Sequence, residues 1–229
     1  MKDKFEKVSD YFYEDSYVLK NSLGIKNEEQ LNIMERKLSS LRLAEFMDKP
    51  IKGRFDFKQL RDIHRYLFQD LYPWAGELRK CEINKVSLFC LFDLIEENAA
   101  VIFDGIFNDN YFIDYDDETK IAKLVELFGN INVLHPFREG NGRTQRIFIE
   151  ALAKVNGLDI DLTKITQSEM IQASIKDACG DSSLLLEHFT NNCRKLNKEE
   201  QMYYICKYSE PRLANYLMTR VIEQQKNRR

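Results

Sequence analysis

The sequence predicts an all-α fold, and three observations support this prediction. Only four prolines and nine glycines occur in 229 residues, so few positions would break a helix. Apolar residues recur at spacings of three and four along most long stretches, as on one face of a helix. With 44% hydrophobic residues, including 15 phenylalanines and 11 tyrosines, the chain can build one sizeable core with small flanking elements.

The first two predicted helices cover residues 28–46 and 57–68. Asn27 is placed to cap the first helix, because an asparagine side chain accepts hydrogen bonds from first-turn N–H groups. The apolar stripe of this helix consists of Leu31, Met34, Leu38, Leu41 and Phe46. The second helix ends at a turn-forming segment, 72–76, that contains a proline and a glycine.

The segment 77–89 differs from its neighbours, because charged and apolar residues mix over short runs without a helical stripe. We expect a short β-hairpin flap there. A helix over 92–107 follows, and then an acidic loop at 114–118 whose carboxylates suit the start of the next helix. That next helix carries a stripe of Ile121, Leu124, Val125, Phe128 and Ile131.

The helical pattern stops after Leu134 and resumes from Ile147 to Gly157, so two helices flank the loop 135–142. Further core helices are predicted at 167–178 and 182–193. The chain then divides into an N-terminal helical segment packed on the core (1–50), the core (51–196) and a more polar C-terminal helical extension (197–229).

Charge and cysteine usage limit the possible functions. Charged residues make up 31% of the chain but nearly cancel to a net charge of -3, which argues against nucleic-acid binding. The first ten residues form no apolar signal region, and no apolar stretch is long enough to span a membrane. We therefore expect a cytoplasmic protein, with secretion by an apparatus that reads no N-terminal signal left open. Five cysteines without CxxC spacing suit a reducing compartment: Cys81, Cys90, Cys179, Cys193 and Cys206.

The loop 135–142 and the helix start after it concentrate several chemical groups. Two glycines around an amide let backbone N–H groups turn inward as an anion-binding concavity. A helix that begins near Gly142 adds the positive end of its dipole to the same place. Arg143 and Arg146 are three residues apart on one face of that helix, where both can bind neighbouring phosphates.

Two further groups in the loop suit phosphate chemistry. Glu139 offers a hard oxygen ligand for Mg²⁺, which bridges phosphate oxygens while it keeps several waters. His135 is the side chain of the loop that takes a proton near neutral pH. Alone, a histidine at a helix end is more often a cap, and a Gly-Asn-Gly run is more often a turn. Their combination in one loop favours a phosphate site.

The run from His135 to Arg146 resembles the Fic signature HPFx(D/E)GNGRxxR at every specified position. Upstream segments at 18–25 and 63–79 are also similar to the family, and the resemblance covers roughly residues 17–195. It implies a helical core whose central loop binds ATP and Mg²⁺ beside a β-hairpin flap. The implied activity is protein adenylyltransfer: AMP moves from ATP to a Ser, Thr or Tyr hydroxyl of a protein, self-modification included, and pyrophosphate leaves.

The resemblance also implies roles for single residues. His135 would take the proton of the target hydroxyl, and Glu139 would bind Mg²⁺ between the α- and β-phosphates. The other implied nucleotide contacts are an anion hole of Gly140, Asn141 and Gly142, Arg143 on the β-phosphate and Arg146 on the γ-phosphate. Lys85 and Phe89 are similar to flap residues that secure the target's backbone; the alternatives are a solvated lysine and a core phenylalanine. Phe137 is expected to anchor the loop in the core, and His64 to be a core or interface histidine.

Many Fic proteins resemble one another in an inhibitory helix with the pattern (S/T)xxxE(G/N), whose glutamate pairs with the last arginine of the motif. Thr219 and Glu223 in the C-terminal extension are the candidate here, so Glu223 is expected to meet Arg146. Gln224 departs from the pattern, and an ordinary solvated helix end is the alternative. The first 50 residues contain no candidate.

Two other functions stay open. The first is a Fic-fold transferase that moves another group, such as a different nucleotide, phosphocholine or, in a Doc-like branch, phosphate. The Doc-like branch lacks the second glycine of the signature, whereas this chain keeps it as Gly142. A nucleotide-binding interaction module would show no turnover. The expected partners are ATP and a target protein, without nucleic acid or membrane, and a homo-oligomer is left open.

Overall fold

The computed structural model describes residues 11–14, 16–83 and 89–227. Within these residues the chain is mainly helical, as predicted. The α-helices are α1 (Glu28–Asp48), α2 (Phe57–Phe68), α3 (Ile95–Asn108), α4 (Asp117–Leu134), α5 (Asn141–Val155), α6 (Gln167–Ala178), α7 (Ser183–Asn191), α8 (Lys198–Tyr208) and α9 (Pro211–Asn227). Short 3-10 helices lie at Phe92–Leu94, Asn110–Phe112 and Leu162–Lys164.

Side-chain caps set the starts of several helices. Asn27 accepts a hydrogen bond from the N–H of Gln30 at 2.9 Å and begins α1, as predicted. Asp116 does the same for α4 with the N–H of Thr119 at 2.8 Å. A cap satisfies N–H groups that the helix itself leaves without partners, so these local signals determine where the helices begin.

Helices α4 and α5 form the centre of the core. The predicted stripe on α4 is buried throughout, and α5 is buried on nearly all of its faces. Helices α2, α4 and α8 pack against α5, so neighbours surround it. A helix enclosed in this way is rigidly held. The loop between α4 and α5 is therefore anchored at both ends by the most buried helices of the fold.

The buried face of α1 differs from the predicted apolar stripe. Leu31 and Phe46 are buried, but Leu41 is 57% exposed. Glu35 and Ser39 are buried instead, although both are polar. Because buried polar side chains need hydrogen-bond partners, this face of α1 must lie against polar groups of the core.

The predicted flap lies only partly within the described residues. Residues 77–83 and Phe89 are neither helical nor extended into strands, whereas 84–88, with Lys85, lie outside the described part of the chain. A small antiparallel pair lies elsewhere, between β1 (Leu158–Ile160) and β2 (Cys193–Lys195). In this pair Leu158 is opposite Lys195.

All five cysteines are free thiols, and three of them are at least partly buried. They therefore form no covalent cross-link between the helices. None of the helices in the described part of the chain combines the length and the apolar character needed to cross a membrane.

Candidate active site

The loop between α4 and α5 turns through two residues with left-handed backbone. His135 follows α4 with φ 43°, and Gly140 precedes α5 with φ 84°. A Cβ atom on Gly140 would lie 2.4 Å from the ring of Phe68, so both packing and backbone conformation require glycine there. The motif thus reverses the chain within a few residues between two buried helices.

Asn141 maintains the shape of the loop through its side chain. Its amide nitrogen donates to the main-chain oxygen of Phe137 at 2.7 Å, and its amide oxygen accepts from the N–H of Phe137 at 2.9 Å. Phe137 is 1% exposed, which confirms the expected core anchor. Because both ends of the Asn141 amide are used inside the loop, only its main chain is available to an anion.

The first turn of α5 has the properties of an anion site. Helix geometry leaves its first N–H groups without partners inside the helix, and no side chain caps this end. The N–H of Gly140 donates to the carboxylate of Glu139 at 2.9 Å. Apart from its chain neighbours and the backbone of α5, a Cβ atom on Gly142 would meet no atom of the described residues within 4 Å, so this side of the helix is open to an approaching phosphate.

Arg143 is held by residues from outside the motif. Its guanidinium donates to the hydroxyl of Ser39 at 3.1 Å and to the carboxylate of Glu35. Its Cζ atom also lies 4.7 Å from the centre of the Phe68 ring. Sequence reasoning missed Glu35, because one acidic residue on a helix with several charged neighbours gives no local signal.

Arg146 has very different surroundings. It makes no hydrogen bond or ion pair with any residue that the structure describes. Burial lowers the pKa of Arg146; the charge of Glu150, one turn further along α5, opposes this effect, and the charge of Arg143 adds to it. An unpaired and partly buried cation beside an open helix N-terminus favours an anionic ligand.

The ring of His135 lies against the flap segment. It stacks on the ring of Phe89, with centroids 3.8 Å apart and an angle of 19° between the planes. Nδ1 lies 3.3 Å from the main-chain oxygen of Asn132. A proton on Nδ1 would satisfy this contact, and the basic lone pair would then lie on Nε2.

Arg79 connects the flap segment to the motif loop. It is 1% exposed, and its guanidinium donates to three main-chain oxygens: His135 at 2.8 Å, Cys81 at 2.9 Å and Cys90. Its own N–H donates to the oxygen of Pro136 at 2.9 Å. Sequence reasoning assigned no role to Arg79, because an arginine in a mixed segment has no pattern that distinguishes a buried from a solvated one.

The expected pairing of Glu223 with Arg146 is not observed. Glu223 pairs with Arg220 on the same helix at 3.3 Å, and Thr219 donates to the oxygen of Asn215 at 2.9 Å. Arg220 also binds Asp114 just before α4, at 2.7 Å. Helix α9 therefore packs beside the start of α4, whereas the motif loop follows the end of α4. The carboxylate from outside the motif that meets a motif arginine belongs to Glu35 of α1, where the inhibitory sequence pattern is absent.

Comparison with known proteins identifies relatives of this chain. The model of the Fic/DOC family matches residues 54–153. Protein adenylyltransferase VbhT of Bartonella schoenbuchensis is 36% identical over 200 residues, which cover 83% of this chain and 42% of that protein. The Escherichia coli K12 protein named "Probable protein adenylyltransferase Fic" is 32% identical over 203 residues, which cover 87% of this chain and 100% of that protein.

A solved structure shares the helical architecture. The N-terminal Fic domain of a VirB-translocated effector from Bartonella quintana, with bound ADP, aligns with a TM-score of 0.76 at 28% identity. The alignment covers 83% of this chain and 96% of that one. The chain thus spans 42% of the length of the B. schoenbuchensis relative but the full length of the E. coli relative. It belongs to the Fic/DOC family.

Proposed function

We propose that this chain is a protein adenylyltransferase, which moves AMP from ATP to a Ser, Thr or Tyr hydroxyl of a protein, itself included. The observation that carries this proposal is the start of α5, where an open helix N-terminus at Gly142 adjoins a held and an unpaired arginine. The phosphates of a nucleoside triphosphate need such a cluster of N–H donors and cations to bind them. The names of the relatives at 32–36% identity support AMP as the group transferred.

In the proposed reaction, His135 accepts the proton of the target hydroxyl, and the hydroxyl oxygen attacks the α-phosphorus. The bond between the α-phosphorus and the bridging oxygen breaks, and pyrophosphate leaves. Arg143 and Arg146 stabilise the charge that develops on the leaving group, and the N–H groups at the start of α5 bind phosphate oxygens. Such a reaction depends on positioning and charge neutralisation, which a rigid loop provides.

We assign Glu139 as the ligand for Mg²⁺. Among the described residues no group of three or more His, Cys, Asp or Glu could hold a metal ion, so an ion here would rely on one carboxylate, phosphate oxygens and waters. That donor set fits Mg²⁺. The side chain of Glu139 is 39% exposed and therefore accessible. When bound, the ion would neutralise charge between the α- and β-phosphates.

Phe89 is proposed to guide the main chain of the target, together with Lys85. The support is the position of Phe89, whose ring covers one face of the proposed base. A cytoplasmic location is proposed from the five free thiols, which suit a reducing compartment. The acceptor would therefore be a cytoplasmic protein.

Label transfer tests the proposed activity directly. The chain is incubated with Mg²⁺ and ATP labelled at either the α- or the γ-phosphate, alone and with a cytoplasmic extract, and modified proteins are identified by mass spectrometry. Retention of the α-label as AMP supports the proposal. Transfer of the γ-label identifies the Doc-like phosphate reaction. ATP binding without transfer of either label to any protein identifies a binding module.

Parallel reactions address the other candidate donors. UTP, GTP, CTP and CDP-choline replace ATP under the same conditions. Modification by one of these donors at a rate above that with ATP would replace AMP as the group transferred. The His135→Ala variant is the control in every reaction, since it removes the proposed base.

A further inference from the structure

The carboxylate of Glu35 connects three separate parts of the fold. Its side chain is 11% exposed and extends from the middle of α1. One carboxylate oxygen accepts from Arg143 in the first turn of α5, and the other accepts from the hydroxyl of Tyr72, in the turn after α2. Ser39, one turn further along α1, accepts from the second terminal nitrogen of Arg143 at 3.1 Å.

Two hydrogen bonds compensate for the burial of this carboxylate. A buried charge is tolerated only when it is paired and hydrogen-bonded, and Arg143 and Tyr72 supply one donor each. Burial, followed by the charge of Glu35, raises the pKa of Tyr72, so its hydroxyl stays protonated and donates. Glu35 is therefore held in place by partners from α5 and from the turn after α2.

The contacts of Arg143 restrict the orientation of its guanidinium. Glu35 and Ser39 bind the two terminal nitrogens, and the Phe68 ring lies beneath the guanidinium. The carboxylate of Glu139 lies 4.0 Å from the nitrogen that Glu35 binds. The Nε atom has no hydrogen-bond partner among the described residues, so donors are left for a ligand. An arginine that is already ordered loses less side-chain freedom when a phosphate binds, and it therefore binds more tightly.

We propose that Glu35 is a positioning residue, which holds Arg143 in place for the β-phosphate of the nucleotide. This inference rests on the proposed function, in which Arg143 binds that phosphate. It gives the N-terminal helix a part in nucleotide selection, although α1 lies outside residues 54–153 that match the family model. The opposite role, in which Glu35 competes with phosphate for Arg143, predicts effects of the opposite sign.

Nucleotides that differ by one phosphate separate a positioning role from a structural one. The affinities of ADP with Mg²⁺ and of AMP are measured by calorimetry for the wild type and for Glu35→Gln. The variant keeps the size of the side chain and an acceptor for Tyr72 but loses the charge that holds Arg143. We expect its ADP affinity to fall by about tenfold, because an ion-paired hydrogen bond is lost. AMP affinity should stay within about twofold, because AMP has no β-phosphate for Arg143 to bind.

Asp70→Asn is the matched control. Asp70 binds Arg42 of α1 through two hydrogen bonds of 2.6 and 2.8 Å, so its loss weakens the docking of α1 without touching Arg143. This variant should bind both nucleotides as the wild type does. An equal loss of ADP affinity in both variants would show that Glu35 acts only by docking the helix, and would overturn the proposal.

A second variant tests the same proposal if Glu35→Gln does not fold. Ser39→Ala removes the weaker contact to Arg143, and we expect ADP affinity to fall by about threefold with AMP unaffected. Unchanged or tighter ADP binding in both variants overturns the positioning role, and tighter binding identifies Glu35 as a competitor of phosphate. If the wild type itself bound no ADP, the proposed function would fail, and the inference with it.

Discussion

Nε2 of His64 lies 2.8 Å from the main-chain oxygen of Glu139, and Nδ1 of the same ring lies 2.8 Å from the nitrogen of Gly76. The main-chain N–H of Gly76 can only donate, so Nδ1 is the acceptor and Nε2 carries the proton. The ring is fully buried and stacks on Phe137, with centroids 3.8 Å apart. A neutral histidine therefore connects the turn after α2 to the residue proposed to bind Mg²⁺.

The stability of the protein should depend on pH through His64. Burial lowers the pKa of His64 from 6.5 to about 3, with the charges of Arg143 and Arg65 acting in the same direction. As the pH falls below 6.5, the unfolded chain binds a proton here that the folded chain does not. We expect the wild type to lose about 2 kcal/mol more than His64→Gln between pH 7 and pH 5. Urea unfolding at both pH values measures this, and equal losses would contradict it.

The second prediction separates proton transfer from nucleotide binding. The ring of His135 contacts Phe89 and Asn132, whereas the arginines and N–H groups proposed to bind phosphate belong to α5. His135→Ala should therefore reduce label transfer by about 100-fold or more and leave ADP affinity within about threefold. His188→Ala on α7 is the matched control and should retain full activity. Retention of more than about a tenth of the wild-type rate would exclude His135 as the base.

A third prediction concerns the hydrogen bonds by which the Arg79 guanidinium connects the flap segment to the motif loop. A lysine cannot donate to the oxygens of His135, Cys81 and Cys90 in the fixed geometry of a guanidinium. Arg79→Lys should therefore lower kcat by about tenfold or more, because the base and the flap lose their common support, with little change in ADP affinity. Steady-state kinetics and calorimetry on the same preparation measure both quantities. A loss of ADP affinity with kcat unchanged would show that Arg79 serves the nucleotide site instead.

The two glycines of the motif should respond differently to alanine. Gly140→Ala places a Cβ atom 2.4 Å from Phe68 on a left-handed backbone, so it should destabilise the fold by at least about 1–2 kcal/mol. Gly142→Ala meets open space inside a helix and should preserve or slightly increase stability, by up to about 1 kcal/mol. Its methyl group would obstruct the approaching phosphate, so ADP affinity should fall. Unchanged ADP binding by Gly142→Ala would place the nucleotide elsewhere.

Local sequence signals were sufficient for most of the fold. The bounds of α2 and α6 follow from apolar spacing and from the residues that flank each helix, and Asn27 marks the start of α1. The site motif could also be predicted, because its loop and the first turn of α5 are contiguous in sequence. Contacts within one segment depend on neighbouring residues, which can be read directly from the sequence.

Contacts between distant segments could not be predicted. Glu35 and Arg143 are 108 residues apart, and Arg79 and His135 are 56 apart. A charged residue that is buried and paired has the same spacing as one that faces solvent, so periodicity cannot distinguish them. The same limitation explains Glu223, which matched a pattern for inhibition but lies on an exposed face with Arg220 as its partner.

The contact of Glu35 with Arg143 limits how short a working fragment of this chain can be. A fragment trimmed to the residues that match the family model would begin at 54 and would lack all of α1. Its Arg143 would lack the Glu35 counter-charge, and the hydroxyl of Tyr72 would lose its acceptor. Excised or fused versions should therefore start before residue 28.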